Sequence, residues 1–109
     1  MSLEKMSEDV VVYYDLETTD AKPRAVPKHK GVQILSIGAI NGRTGEEFLK
    51  YSMPTCPINP EAAKKNHFAI SDGKLTLRGV PVRAGDPAEV LKHFMTWLEE
   101  QDCKWLVSN

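Results

Sequence analysis

Two carboxylates stand two residues apart where an apolar run near the beginning of the chain ends. Asp15 and Glu17 follow a stretch of β-branched and aromatic residues, VVVYY. Residues two apart on a strand point to the same face, so the spacing predicts that these carboxylates lie side by side. Such a pair is costly because like charges repel, and a hard divalent cation such as Mg²⁺ or Mn²⁺ removes that cost. The alternative, which a bare D-x-E pattern favours by itself, is a solvated strand end that caps a turn.

The other chemically active residue types are more scattered. Three histidines fall on a loop, a helix end and the polar side of a helix, at spacings that do not suggest zinc, and surface positions are expected for them. They are His29, His67 and His93. Lysine and arginine cluster only in residues 22–24 and 28–30, within a Pro-containing loop predicted over 20–31. Such a cluster could contact phosphates, and an ordinary solvated loop is the alternative.

Composition sets the broad class of the protein. The chain has 109 residues, 14 Lys+Arg against 15 Asp+Glu and 41% hydrophobic residues, which predicts one globular domain. No apolar run approaches the roughly 20 residues that span a bilayer, and charges interrupt residues 1–8, so neither a membrane span nor a signal peptide is predicted. Cys56 and Cys103 form no CxxC motif or disulfide framework, as in a reducing compartment. An intracellular protein, cytoplasmic or nuclear, is expected.

The first half of the chain has the pattern of three strands. Residues 9–17 predict a strand buried on both faces for most of its length, and residues 32–40 predict a second strand. Asn41-Gly42 then favours the left-handed backbone of a tight hairpin turn. Residues 46–53 alternate as the returning strand, so the sequence predicts a three-stranded antiparallel meander.

The second half predicts two helices and a further strand. Asn59 caps a short helix over 61–66, with Pro60 at its first position, and residues 71–85 are expected to be irregular. Asp86 caps a longer helix that ends near 100–102. Its apolar residues recur at spacings of three and four along one face. They are Val90, Leu91, Phe94, Trp97 and Leu98.

Residues 104–109 predict a last buried strand. Placed after two helices, this strand is expected to be parallel to its neighbour. The predicted fold class is therefore α/β: a three-stranded antiparallel meander, helices and then a parallel strand. That order corresponds to the first half of an α/β sandwich, so the fold is expected to be incomplete.

Several strings together resemble the DEDD superfamily of 3′→5′ exonucleases, the DnaQ-like group on an RNase H-like fold. YYDLETTD and then QILSIGAI resemble its first motif and second strand, and PINPEAAKKNHFAIS resembles the short helix after the meander. The helix that ends in WLEEQ leads to KWLVSN, which is similar to the strand that opens the second motif. Among subfamilies, the animal three-prime repair exonucleases are most similar. The resemblance covers residues 9–109, after a polar tail at 1–8.

The resemblance implies roles for residues at the end of the first strand. Asp15 and Glu17 would be catalytic ligands of two Mg²⁺ or Mn²⁺ ions, which activate a water and stabilise the leaving 3′ oxygen. The backbone around Leu16 and Thr18 would bind the 3′-terminal nucleotide, with the Leu16 side chain in the core. Plain turn residues are the alternative for Thr18 and Thr19. The implied activity releases mononucleotides from DNA, with RNA as the alternative, and a homodimer fits the subfamily.

The string His67-Phe68-Ala69-Ile70 stands where the family often has His-Gly-Ile. Phe68 or Ile70 could wedge against a terminal base. Packing in the core is the alternative that their apolar character favours.

The chain departs from the family in its later motifs. The family's second-motif Asp, its general-base His and its last Asp have no counterpart here, and Val107-Ser108-Asn109 stands where Val-Ala-His-Asn is usual. Residues 9–109 are therefore expected to be the N-terminal part of an exonuclease domain, with weak cation binding, little or no nuclease activity and marginal stability. A catalytically inactive exonuclease-like module that binds nucleic acid or a protein partner is the alternative.

Overall fold

The chain folds as a mixed α/β structure in the computed structural model, which describes residues 9–20 and 31–108. The strands within that part are β1 (Val10–Thr18), β2 (Ile34–Asn41), β3 (Glu47–Ser52), β4 (Phe68–Ser71), β5 (Lys74–Leu77), β6 (Val80–Pro81), β7 (Ala84–Gly85) and β8 (Cys103–Ser108). The helices are α1 (Pro60–Asn66) and α2 (Pro87–Glu100). Neither helix is long and apolar enough to cross a membrane.

Five strands form the main sheet in the order β7-β3-β2-β1-β8. β1, β2 and β3 pair antiparallel as neighbours, whereas β8 pairs parallel with β1. The predicted meander and the predicted parallel strand are therefore confirmed. The predicted burial of the last strand is wrong, because β8 is an edge strand and Leu106 and Val107 are 46% and 39% exposed.

Helix α2 covers one face of this sheet. The Asp86 carboxylate accepts a hydrogen bond from the Glu89 N–H and Pro87 opens the helix, as the capping pattern predicts. The ring centroids of Phe48 on β3 and Phe94 on α2 lie 5.2 Å apart in the centre of the core. Trp97 and Leu98 pack around the same cluster. The predicted apolar face of the helix is confirmed for these residues, although Leu91 is exposed.

Only one face of β1 is well covered. Val12 is fully buried and Tyr14 packs beside it in the α2 cluster, whereas Tyr13 and Asp15 on the other face are exposed. The predicted burial on both faces is therefore wrong. A β-branched run predicts an apolar strand, but how many layers cover it depends on elements elsewhere in the sequence.

A second sheet occupies most of the segment that was expected to be irregular. β4, β5 and β6 form a three-stranded antiparallel sheet, so that expectation is wrong for residues 71–81. Both connections are two-residue turns with positive φ, at Asp72-Gly73 and Arg78-Gly79. Two positive φ angles match the right-handed twist of the flanking strands, and Asp-Gly is a strong hairpin signal.

An irregularity in β2 attaches this second sheet to the first. Glu17 pairs with Ser36 but Thr18 pairs with Ile34, so Leu35 has no partner on β1. Ile34 accordingly packs in the α2 cluster, while Leu35 is fully buried in a second cluster with Phe68 of the small sheet. The bulge shifts the alternation of β2 by one residue, so that Ile34 and Ile37, three residues apart, both pack in the α2 cluster.

The β2–β3 connection lies where Asn41-Gly42 predicts it but has a different conformation. The left-handed residue is Gly45, with φ of 80°, and Asn41 is the last residue of β2. Its Oδ1 atom accepts hydrogen bonds from the N–H groups of Arg43 and Thr44, at 2.8 and 3.1 Å. The predicted left-handed Asn41-Gly42 turn is therefore wrong, because the asparagine side chain closes a longer turn instead.

Asn41→Ala is expected to destabilise the fold by about 2–3 kcal/mol. The buried Asn41 side chain also donates from Nδ2 to Oε1 of Gln101, at 2.8 Å, and so ties the hairpin to the end of α2. Urea unfolding measures the loss. Gln101→Ala removes the acceptor of the Asn41 Nδ2 group and leaves both turn hydrogen bonds intact, so its cost should be smaller. An equal loss of unfolding free energy in the two variants would contradict this role of the Asn41 side chain in the turn.

Candidate functional site

Asp15 and Glu17 share the face of the sheet that points away from α2. The alternation along β1 sets this arrangement, since Val12 and Tyr14 point into the α2 cluster. Opposite the two carboxylates on β2 stand Gly38, which has no side chain, and Ser36, which is buried. The prediction that the pair lies on one face is confirmed.

Electrostatics at this pair disfavours the presence of two negative charges. The pKa of the Glu17 carboxyl is raised, first by its partial burial and second by the negative charge of Asp15. Asp15 itself is exposed. Two like charges on one face of the strand repel each other, and a bound divalent ion would relieve that repulsion.

Glu17→Gln is expected to stabilise the chain at pH 7, raising the Tm by about 2 °C. The pKa of Glu17 is higher in the folded chain than its ordinary value of 4.5, so its deprotonation weakens folding as the pH rises through that interval. The gain should therefore vanish below about pH 4.5, where Glu17 is neutral in both states. Thermal unfolding across this pH range measures it.

Glu47→Gln is the matched control, because Glu47 is an exposed carboxylate on β3. It should change the Tm little at either pH. A Glu17→Gln variant that is less stable than the wild type at pH 7 would contradict the repulsion.

The end of β1 is held in place by α1 and the chain that follows β1. The Asn66 side chain donates from Nδ2 to the carbonyl of Thr18 at 3.0 Å, and the Thr18 hydroxyl donates to the carbonyl of Asp20 at 2.8 Å. Thr19 is 3% exposed, and its hydroxyl accepts from the Gln33 N–H at 3.1 Å. These contacts support the turn interpretation of the two threonines. The binding of a nucleotide by the backbone around Thr18 stays a prediction.

The predicted core positions of two apolar side chains near the site, Leu16 and Phe68, have opposite outcomes. The Leu16 side chain is 37% exposed, so its predicted place in the core is wrong, since α2 does not extend over the end of β1. Phe68 is 3% exposed within the second core, which confirms packing rather than a wedge for this residue. Ile70 is 42% exposed on β4, so the core packing that its apolar character favours is wrong for this residue.

The remaining candidate residues are distributed around the molecule. His67 is exposed at the end of α1, where it adopts a left-handed φ of 62°, and His93 is exposed on α2. Cys103 packs beside the α2 cluster, and Cys56 is half-buried, with its Sγ atom against the hydroxyl of Thr19. His29, the basic clusters at 22–24 and 28–30, the tail at 1–8 and Asn109 lie outside the described residues.

Asn66 is a site residue that the sequence interpretation missed. Besides holding the carbonyl of Thr18, its Oδ1 atom accepts from the Phe68 N–H at 3.1 Å. An asparagine that precedes the end of a short helix is a local signal for such a capping contact. Its long-range partner on β1 could not be predicted from that signal.

The donor set of Asp15 and Glu17 fits a hard divalent cation. Within residues 9–20 and 31–108, no group of three or more His, Cys, Asp and Glu side chains is arranged to hold a metal ion. The pair offers only carboxylate oxygens, which Mg²⁺ and Mn²⁺ prefer, and Mg²⁺ commonly keeps several waters beside one or two carboxylates. A cation held by these two residues would therefore be largely water-coordinated.

Comparison with known proteins gives no match: neither a family model nor a curated protein is similar to the chain. The functional interpretation therefore depends on the residues and their arrangement.

Proposed function

We propose that residues 9–109 belong to a metal-dependent 3′→5′ exonuclease domain with an RNase H-like sheet. Its substrate is DNA, with RNA as the alternative, and its products are mononucleotides. The single observation that carries the proposal is the position of Asp15 and Glu17, together on one face at the carboxyl end of β1, which lies between β2 and β8.

The sheet topology supports this proposal. An antiparallel meander is followed by a helix and by a strand that returns parallel to β1, in the order β3-β2-β1-β8. This is the strand arrangement that the resemblance to DnaQ-like exonucleases implies. In open α/β sheets, ligands bind outside the carboxyl ends of parallel strands, and β1 ends there with its two carboxylates.

Asp15 and Glu17 would each contribute carboxylate oxygens to the cations. When bound, two such ions activate a water and stabilise the leaving oxygen of a phosphodiester. Asp15 is exposed and accessible to a phosphodiester, whereas Glu17 is partly buried and held in position by the strand. The hydrogen bonds from Asn66 to Thr18 and from Gln33 to Thr19 would keep this geometry fixed.

Cation binding by this chain should be weak, with a dissociation constant in the millimolar range, because only two carboxylates contribute. Nuclease activity should accordingly be absent or very low. Calorimetric titration with Mn²⁺ measures the first expectation, and shortening of a 5′-labelled single-stranded DNA measures the second. The double variant Asp15→Asn/Glu17→Gln should lose the heat of binding and any shortening from the 3′ end.

The control is Glu46→Gln/Glu47→Gln, which removes the same number of charges at the beginning of β3 and should bind Mn²⁺ like the wild type. Equal heats for the wild type and Asp15→Asn/Glu17→Gln would overturn the proposed site. Cleavage at internal positions, rather than from the 3′ end, would overturn the proposed reaction. DNA binding by a wild type that gives no heat with Mn²⁺ would favour the inactive binding module.

A further inference from the structure

A groove of about 350 Å³ between β3 and α2 brings together basic side chains from three parts of the chain. Lys50 comes from β3, Arg83 immediately precedes β7, and His93 comes from α2. Lys50 shares a face of β3 with Phe48, which contacts α2, so its side chain points towards the helix. The groove therefore lies on the α2 side of the sheet, apart from the carboxylate pair.

These cations are available to a ligand. In the part of the chain that the structure describes, Lys50, Arg83 and His93 form no ion pair with a carboxylate. All three are exposed. Among the described residues, Glu89 is the one acidic side chain that lines the groove, so two permanent positive charges face one negative charge there. The net charge of the whole chain is -1, so this local excess of positive charge is not a general property of the surface.

We propose that this groove binds the phosphodiester backbone of a single-stranded polynucleotide. Lys and Arg attract phosphates without requiring any base sequence, and the arginine fork can bind phosphate oxygens in a bidentate manner. The two permanent cations come from different elements along one groove, so both can contact the backbone of the same strand. The site goes beyond the proposed exonuclease chemistry because it does not use Asp15 or Glu17.

The register of the sheet places the groove near the carboxylate strand. Leu16 pairs with Ile37, and Ile37 pairs with Lys50, so the three residues form one row across the sheet. Two interstrand spacings put the Lys50 backbone about 10 Å from β1. A polynucleotide that reaches the end of β1 could therefore extend around the edge of β3 to this groove.

Fluorescence anisotropy of a labelled oligodeoxythymidylate in EDTA tests the proposal, because no divalent cation is then present. Lys50→Glu/Arg83→Glu is expected to weaken binding about tenfold and to reduce the slope of log K against log salt by about 1.4, since each lost phosphate contact contributes about 0.7. Lys74→Glu/Arg78→Glu makes the same charge change on exposed residues outside the groove and should have a much smaller effect.

Glu89→Gln tests the opposite change in affinity. Removal of this negative charge should strengthen binding about two- to fivefold, as expected for one charge a few ångströms away in water. Glu99→Gln, an exposed position elsewhere on α2, should leave binding unchanged. Neither difference would follow if the groove residues had only a structural role.

Three results would overturn the proposal. Equal losses for Lys50→Glu/Arg83→Glu and Lys74→Glu/Arg78→Glu would show a general charge effect, and no loss in either would show that the groove does not bind the oligonucleotide. Inorganic phosphate that binds as tightly as the oligonucleotide, and is lost in Lys50→Glu/Arg83→Glu, would make the groove a small-anion site. Because the assay contains EDTA, failure of the metal site leaves these outcomes unaffected.

Discussion

Phe94→Ala should unfold most of the chain or shift its urea midpoint close to zero. The Phe94 ring lies in the centre of the α2 core, with its centroid 5.2 Å from that of Phe48 and 6.3 Å from that of Trp97. Truncation of a buried phenylalanine costs about 3–5 kcal/mol, which is comparable with the whole stability of a small domain. Several apolar side chains stay exposed, Leu106 and Val107 among them, so the free energy of unfolding of the wild type is expected to be small.

Urea unfolding followed by the fluorescence of Trp97 and Trp105 measures this loss. Met95→Ala is the matched control, since Met95 is the next residue of α2 and is 53% exposed. Its cost should stay below about 1 kcal/mol. A Phe94→Ala chain with the wild-type midpoint would show that α2 does not pack as described.

Leu35→Ala is expected to cost about 2–5 kcal/mol and to loosen the end of β1. Leu35 is the bulged residue of β2, and its side chain joins the main sheet to the small sheet at Phe68 and Leu75. The Thr19 N–H donates to the carbonyl of Gln33 at 2.9 Å beside this bulge. Loss of the Leu35 side chain should therefore disturb the backbone that holds Glu17.

Urea unfolding measures the stability change, and hydrogen exchange at the Thr19 amide measures the local change. Leu49→Ala is the control, because Leu49 is a leucine of the same sheet that is 59% exposed. It should alter stability by less than about 0.5 kcal/mol. Unchanged exchange at Thr19 in a folded Leu35→Ala chain would contradict the link between bulge and site.

The elements with local signals could be predicted from the sequence. Asn59 and Asp86 cap helices where the pattern places them, because capping depends only on the next few residues. The meander follows from alternation and from a turn at the expected place, even though the Asn41 side chain gives that turn another form. These predictions agree with the structure within one or two residues at most boundaries.

Features that depend on distant partners could not be predicted in the same way. Burial of β1 and β8 depends on which layers and neighbouring strands cover them, and an apolar run is compatible with either outcome. The small sheet was missed because its strands are at most four residues long and lie among Gly and Pro, although Asp72-Gly73 carries a hairpin signal.

The same distinction between local and long-range features applies to the candidate site. The shared face of Asp15 and Glu17 follows from a period of two, which is a local property of any strand. The bulge at Leu35 and the Asn66 contact with Thr18 depend on pairing between segments far apart in sequence. Sequence patterns therefore predicted the pair of carboxylates but not the contacts that fix its position.

Localisation of Mn²⁺ by NMR tests most directly whether Asp15 and Glu17 jointly bind a divalent cation. Substoichiometric Mn²⁺ should broaden the backbone amide signals of β1 near Asp15 and those of the paired residues Ser36 and Gly38, before signals elsewhere. In Asp15→Asn/Glu17→Gln the same addition should leave these signals sharp. First broadening at another place, or equal broadening in the double variant, would contradict the metal site and the exonuclease chemistry proposed from it.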